Sequence, residues 1–557
     1  MGQYTQLATL ILVFAYLAIV GFLGWRGFKG TRSVTDYLLG GRETHPYVMA
    51  LSYGATFIST SAIVGFGGVA AVYGMGLMWL TFTNIFVGIF LAFVVFGMPT
   101  RRLGLRLDAH TFPELLGRRY QSRLIQGSAA SIIFLFMPLY ASAVLMSASK
   151  YFATHIGIPY ETALLLFAAI VAIYVVLGGL KGVMYTDAFQ ATVMVAGMIA
   201  LLALTYVNLG GFKAAYTKLA ALQPLVPPKL AAQGHQGWTH FPAFGSYMWW
   251  NLVGTIMAGV SVGVLAQPQL VVRYMTVKSE KELNRAVSMG GLFILLTVGI
   301  AYIVGPLTNV YTHMHGGKIA IAAAGGDVER IIPMYVTEAL PAWFSALFLV
   351  TLLSAAMSTL SGQFHTIGTS LGRDLMDQSL NRSPRGGGMR IARLGMVLGI
   401  LFSVWLGLLL ESKLGKTGTE IVARGTSLFF GLCASAFLPM YAGALWIRSI
   451  TRAGALAGMA AGTLTSLFWM LFMQEKIATS LTVCQKWFGV RSLGIRIENG
   501  TEVFSHAGPI VWAYVDPSLI ALPIAILTTL LVSRFSRPFG ADHLARCFGK
   551  PLAERAG

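Results

Sequence analysis

The 557-residue chain is 56% apolar and only 11% charged, with a mean hydropathy of +0.69, whereas a soluble domain averages about 25% charged residues. That balance excludes an ordinary soluble domain and indicates an integral membrane protein with repeated apolar spans. The net charge of +19 would suit a nucleic-acid partner, but Lys and Arg retained on the cytoplasmic side of a polytopic protein account for it, and no nucleic acid is expected.

At about 20 apolar residues per bilayer crossing, the sequence predicts an all-α protein of about 13 transmembrane helices. The first, 6–25, lies with a cytoplasmic loop in 1–45. Its N-terminus has no basic region and no small-residue cleavage site, so this stretch is read as a retained helix. Spans 47–69, 75–99, 124–152, 160–179 and 183–208 make a set of five within 46–210. An outer loop, 211–244, is marked as irregular by Pro224, Pro227 and Pro228. Spans 245–272, 287–310, 341–371, 391–411 and 420–446 make a second five within 245–447. Between them, 311–340 is an outer loop with a short surface helix predicted from Pro333 to Pro341. Two further spans, 454–473 and 513–533, fall in 448–535, and 536–557 is a short basic cytoplasmic tail, too small for a catalytic domain. Cys433, Cys484 and Cys547 are far apart and carry no metal spacing or disulfide framework.

Charge alternates between the connecting segments. Arg101, Arg102, Arg106, Arg118, Arg119 and Arg123 crowd one loop, and Arg373, Arg382, Arg385, Arg390 and Arg393 another. An odd number of crossings puts the termini on opposite sides. The positive-inside rule then sets the N-terminus outside and the C-terminus in the cytoplasm of a multi-pass plasma-membrane protein.

The span 47–69 holds Gly54, Gly65, Gly67 and Gly68 together with Ser52, Thr56, Ser59, Thr60 and Ser61. Such a composition suits either a tightly packed helix or one that unwinds. Broken helices occur in membranes only where they line a cavity or are buried in protein, so a binding site is the favoured reading. The span 245–272 has its own patch, Gly259-Val260-Ser261-Val262-Gly263, before Ala266-Gln267-Pro268-Gln269. Two interrupted spans in corresponding halves point to an inverted-repeat transporter with its site at mid-membrane. Asp187, at the start of the span 183–208, is either a solvated carboxylate favoured by a helix N-terminus or an ion ligand or gate.

The apolar run Trp343 to Leu371 carries more hydroxyls than a membrane helix needs. Thr351, Ser354, Ser358, Ser361, His365 and Thr369 recur at steps of three or four and stack on one face. A close helix contact explains such a stripe equally well. The small residues in Ala355-Ala356-Met357-Ser358-Thr359 favour room for an ion against adjacent hydroxyls.

Several stretches together resemble the sodium/solute symporter family, which carries sugars, proline, pantothenate, monocarboxylates or sialic acid. They are Asp36-Tyr37-Leu38-Leu39-Gly40-Gly41-Arg42, Thr186-Asp187-Ala188-Phe189-Gln190, Gln267-Pro268-Gln269 with Arg273-Tyr274-Met275, Ala355-Ala356-Met357-Ser358-Thr359, Arg373-Asp374-Leu375, and Thr451-Arg452-Ala453-Gly454-Ala455 with Gly458. The resemblance implies a LeuT-like core of two inverted five-helix repeats. It also implies a sodium ion held by the backbone carbonyls of Ala55, Ile58 and Ala355 and the hydroxyls of Ser358 and Thr359, an all-oxygen set that suits a hard cation. A second sodium site or a gate would use Asp187 and Ser361, although Gly362 replaces the second serine that such a site has in relatives. Solute contacts carried over in the same way are Phe57, Ser59, Ala62, Thr81, Asn84, Val262, Gly263 and Gln267.

Phe57 replaces an acidic residue of proline-type relatives, and the segment Ala55 to Ala62 is most similar to the pantothenate and monocarboxylate branch. The expected function is sodium-coupled import of a small organic anion by alternating access, in a lipid bilayer. An amino acid or sugar symporter, a nutrient sensor that has kept the transporter fold and a sodium-leak channel are the alternatives. A more remote one is an intramembrane serine hydrolase using Ser361 and His365, four residues apart on one face, as nucleophile and base.

Overall fold

The computed structural model describes residues 3–379, 388–498, 501–507 and 510–549. Arg382 and Arg385 fall outside these ranges. The described chain is helical except for loops and two small hairpins, Ile495–Glu498 with Thr501–Phe504 and His506–Ala507 with Ile510–Val511.

Among the described residues, nine helical segments are long and apolar enough to cross a bilayer. The number rises to 11 if the bent pairs Tyr247–Val264 with Pro268–Tyr274 and Leu428–Ala436 with Leu438–Trp446 are each one span. Two of the nine, Ser61–Arg106 and Tyr160–Asn208, have 46 and 49 residues and fold back on themselves. In the second, Gly179 takes φ 58°, ψ −161°, a conformation open to glycine alone. The Tyr174 hydroxyl before it donates to the Met357 carbonyl, and Asp187 after it accepts from Ser361. Residues 174 and 187 thus meet adjacent turns of one helix, although a straight helix would hold them about 20 Å apart. Gly74 repeats the geometry at φ 72°, ψ −161° and brings Gly88 back to accept from the Tyr53 hydroxyl. The segment Gly388–Ala436 also returns, since Phe402 stacks on Phe134 while Phe430 packs on Tyr140.

At the centre stands the helix Ala342–Thr369. Its crossing is 94% buried within the protein, against 28% for the peripheral Leu7–Gly30. A helix so enclosed can carry a hydroxyl stripe because neighbouring helices, rather than lipid, meet it.

Close packing of the broken helix depends on glycine. A Cβ on Gly68 would fall 1.8 Å from the Val328 carbonyl oxygen, whereas one on Gly21 would meet nothing within 4 Å. Gly68→Val is therefore expected to destabilise by about 1–3 kcal/mol as overpacking does, read as a lower Tm of the purified protein, with Gly21→Val unchanged.

Two element boundaries differ from the sequence expectation. The interruption of the span 245–272 lies at Leu265 to Gln267, beyond the glycine patch, because Pro268 starts the next helix and bends the pair by 43°. The helix expected from Pro333 to Pro341 runs Val328–Ala339 and contains Pro333 rather than starting at it, with Asp327 as its N-cap.

Beyond the end of the central helix, wholly buried Glu114 accepts from Arg118 at 2.6 Å, Gln378 at 3.0 Å, Arg373 at 3.3 Å and the His110 amide at 2.9 Å. Burial alone would raise its carboxyl, but the His110 hydrogen bond and the Arg373 and Arg118 charges outweigh that and hold it well below the ordinary carboxylate range. Some of the loop arginines thus fasten the end of the central helix as well as setting charge asymmetry.

Candidate functional site

The first broken helix, Pro46–Phe57, stops where Ile58 turns extended at ψ 101°, and helix resumes at Thr60. In an unbroken helix the Ala55 carbonyl would accept from residue 59; the turn at Ile58 frees it. Ser358 donates to that freed oxygen at 3.0 Å and Thr359 at 3.4 Å. The same Ser358 hydroxyl lies 2.8 Å from the Ser354 carbonyl and 3.2 Å from that of Ala355. Of the five expected sodium ligands, Ala55, Ala355, Ser358 and Thr359 are directly together, and Ile58 is the break itself. All are neutral oxygens, gathered at the C-terminal, negative end of the helix Pro46–Phe57, which suits a small hard cation.

Beside this set lies a second polar cluster. Asp187, fully buried, accepts from Ser361 at 2.8 Å on one oxygen and from Ser52 at 2.8 Å, Thr56 at 3.2 Å and Arg273 at 3.0 Å on the other. Arg273, also buried, further donates to the hydroxyls of Ser52 at 3.0 Å and Thr56 at 2.5 Å and to the Gln269 carbonyl. Two opposite charges are thereby matched away from water, with their remaining donors satisfied. Gly362 leaves the space: a Cβ there would lie 3.2 Å from the guanidinium and 2.7 Å from Thr56. The positive charge facing Asp187 and Ser361 is thus supplied by the protein itself. The sequence motif contained Arg273 without assigning it a role. Its only signal was a charge one turn beyond the helix-starting Pro268 in an apolar span.

Ser361 and His365 do not form a nucleophile and base. Ser361 donates to Asp187 and to the Ser358 carbonyl, while a ring nitrogen of His365 lies 3.1 Å from the Tyr37 carbonyl.

Phe57, Ser59, Ala62 and Asn84 line a small cavity of about 20 Å³ with Tyr140, Val260, Tyr302 and Phe430. Ser261 donates to the Asn84 side chain at 3.2 Å, tying the second interrupted span to this wall. Thr81, Val262, Gly263 and Gln267 lie outside its lining. Gly263 instead lets the Phe430 backbone approach, where a Cβ would fall 2.6 Å from its carbonyl oxygen. Tyr140 and Phe430 were missed because each sits in a run whose surrounding residues are uniformly apolar or small.

A model of the sodium:solute symporter family matches residues 37–462. The chain belongs to the sodium:solute symporter family. Among similar proteins, the osmoregulated proline transporter OpuE of Bacillus subtilis is 26% identical over 458 residues, covering 82% of this chain and 87% of the relative. The sodium/proline symporter of Escherichia coli is 25% identical over 481 residues, covering 84% and 88%. A solved substrate-bound, outward-open structure of a Na+-coupled sialic acid symporter superposes with a TM-score of 0.74 at 17% identity, covering 95% of this chain and 98% of that one. The chain is therefore a multi-pass membrane protein with the LeuT-like inverted-repeat fold of its family.

Proposed function

We propose that this member of the family imports a small organic solute across the plasma membrane by sodium symport and alternating access. The observation that carries the reading is the Ala55 carbonyl, freed by the break at Ile58 and met by Ser358 and Thr359. Sodium bound there joins the broken helix to the central helix and so favours the solute site beside it. By thermodynamic reciprocity, solute raises sodium affinity by the same factor. The inward sodium gradient supplies the drive, with about 2.3 kcal/mol per charge per 100 mV from the membrane potential.

In this reading 46–210 and 245–447 are the two repeats, and thirteen crossings place the N-terminus outside and the tail in the cytoplasm. Asp187 and Ser361 serve as a gate closed by Arg273 rather than as a second sodium site. Sodium is the single coupled ion.

The solute is a small carboxylate, first of all a monocarboxylate-like anion. Ala62 and Asn84 border this small, mainly apolar cavity, whose lining has no charged side chain, so a solute enters only as the lining moves apart, and an anionic head would rely on the positive end of the helix that resumes at Thr60. The names of two relatives, both proline transporters, favour proline as the second reading. Uptake into sealed vesicles, with and without an inward sodium gradient, tests both with labelled monocarboxylates, pantothenate, proline and a sugar. Sodium-driven accumulation of a monocarboxylate is expected, and weakened binding in Asn84→Ala should accompany it. Accumulation of proline alone would replace the anion. Absence of sodium-driven accumulation for the whole panel would contradict the proposed solute class.

A further inference from the structure

A cavity of about 610 Å³ opens beside the resumed half of the broken helix, lined by Thr60 and Ser61, by the end of the helix Arg123–Ile156, by the outer helix Val328–Ala339 and by Leu352. Its floor reaches Thr60, whose hydroxyl donates to the Leu352 carbonyl at 3.5 Å. Ile58 and Ala355 of the sodium site are two and three residues from those positions. One wall carries Glu329, and the packing of Gly68 on the Val328 backbone fixes its position. Its carboxylate comes within 3.9 Å of where a Cβ on Gly65 would lie. No hydrogen bond or ion pair joins that carboxylate to another described residue. Ser61, one turn before Gly65, is only 7% exposed, and its hydroxyl has no hydrogen-bond partner.

We propose that Glu329 and Ser61 form an outer cation site in this vestibule, which takes a monovalent cation such as sodium before it moves past Thr60 to the Ala55–Ser358 site. The proposal rests on the sodium-symport reading. A carboxylate supplies the charge that the inner, neutral oxygen set lacks, and the Ser61 hydroxyl supplies a second hard ligand. A wall carboxylate also raises the local cation concentration at the mouth of the path.

The other charged groups around the vestibule leave this role to Glu329. Lys150 is held by Glu411 at 2.6 Å. Asp327, on the same helix, is engaged as the cap of the Glu329 amide. Arg330 is exposed, and Glu338 lies near the far end of the outer helix. Burial holds the His155 imidazole below its ordinary value, and Tyr151 adds a hydroxyl. Burial, then the neighbouring Asp327, pushes the Glu329 carboxyl up to about 7, against a smaller opposing effect of Lys150. Glu329 therefore carries its charge above that pH and loses it below.

Labelled sodium binding to the purified full chain tests the site, with Glu329→Gln, Glu329→Asp and Ser358→Ala as variants. The expected curve has a tighter phase, lost in Ser358→Ala, and a weaker phase. Glu329→Gln should weaken only the second phase, by about fivefold or more, as loss of a unit charge at contact distance implies. Glu329→Asp should retain it. Moving wild type from about pH 8 to about pH 6 should reproduce the Gln effect, and the Gln variant should not respond. A wild-type curve superimposable on that of Glu329→Gln, or a pH response that survives in the variant, overturns the outer site. A Ser358→Ala curve identical to wild type overturns the inner sodium site instead, so the two failures are distinguishable. An intact tighter phase in Glu329→Gln shows that the variant is folded.

Discussion

Ser358→Ala is expected to raise the sodium concentration for half-maximal solute uptake by about ten- to a hundredfold, because a hydrogen-bond-grade contact to a charge is worth about 1.5–3 kcal/mol. Ser358 is the hydroxyl nearest the freed Ala55 carbonyl, at 3.0 Å, so its loss removes both a ligand and one of the links between the two helices. Thr359→Ala should act in the same direction but less strongly, in keeping with its 3.4 Å separation. Thr351→Ala is the control. Its hydroxyl bonds only back to the Leu347 carbonyl at 2.9 Å, an ordinary helix-internal bond, and sodium dependence should not move. Sodium-activation curves for uptake in vesicles check all three. An unaltered half-saturating concentration in Ser358→Ala removes that serine from the site.

The other large effect belongs to Arg273. Arg273→Leu leaves the Asp187 carboxylate buried without its cation, and breaking a buried pair in this way costs about 3–5 kcal/mol. A strong fall in Tm and loss of uptake are expected. Asp187→Asn combined with Arg273→Leu should recover a large part of the Tm, because both charges are then gone. Arg273→Lys should not restore uptake fully: its single ammonium cannot reproduce the fork that reaches Ser52, Thr56 and Asp187 together. Near-additive Tm losses in the double variant would mean that the two residues do not act as a pair.

What the sequence made legible follows from the solvent it implies. Hydroxyls on the enclosed run Trp343 to Leu371 needed polar partners, and the cluster of Gly, Ser and Thr between Gly54 and Gly68 announced where one would be. The break at Ile58 and the meeting of Ala55 with Ser358 follow from that pairing. The second interruption was placed less well, since a glycine patch reads alike whether it unwinds or packs. At Gly263 the missing side chain serves packing against Phe430, and Pro268 makes the break. Asp187 was visible as a costly intramembrane charge, but its partner stands 86 residues away in Arg273, a distance that only the fold closes. Tyr140 and Phe430 carry no periodic polar signal, so their convergence on Phe57 had no mark in the sequence.

Equilibrium binding of labelled sodium to the purified protein, compared between wild type and the Ser358→Ala/Thr359→Ala double variant, addresses sodium coupling most directly. The expected result is saturable binding in wild type, strengthened by the transported solute, and lost in the double variant while its Tm without sodium stays close to wild type. Equal sodium binding in the two proteins would contradict the site at Ala55, Ser358 and Thr359 and the symport mechanism built on it.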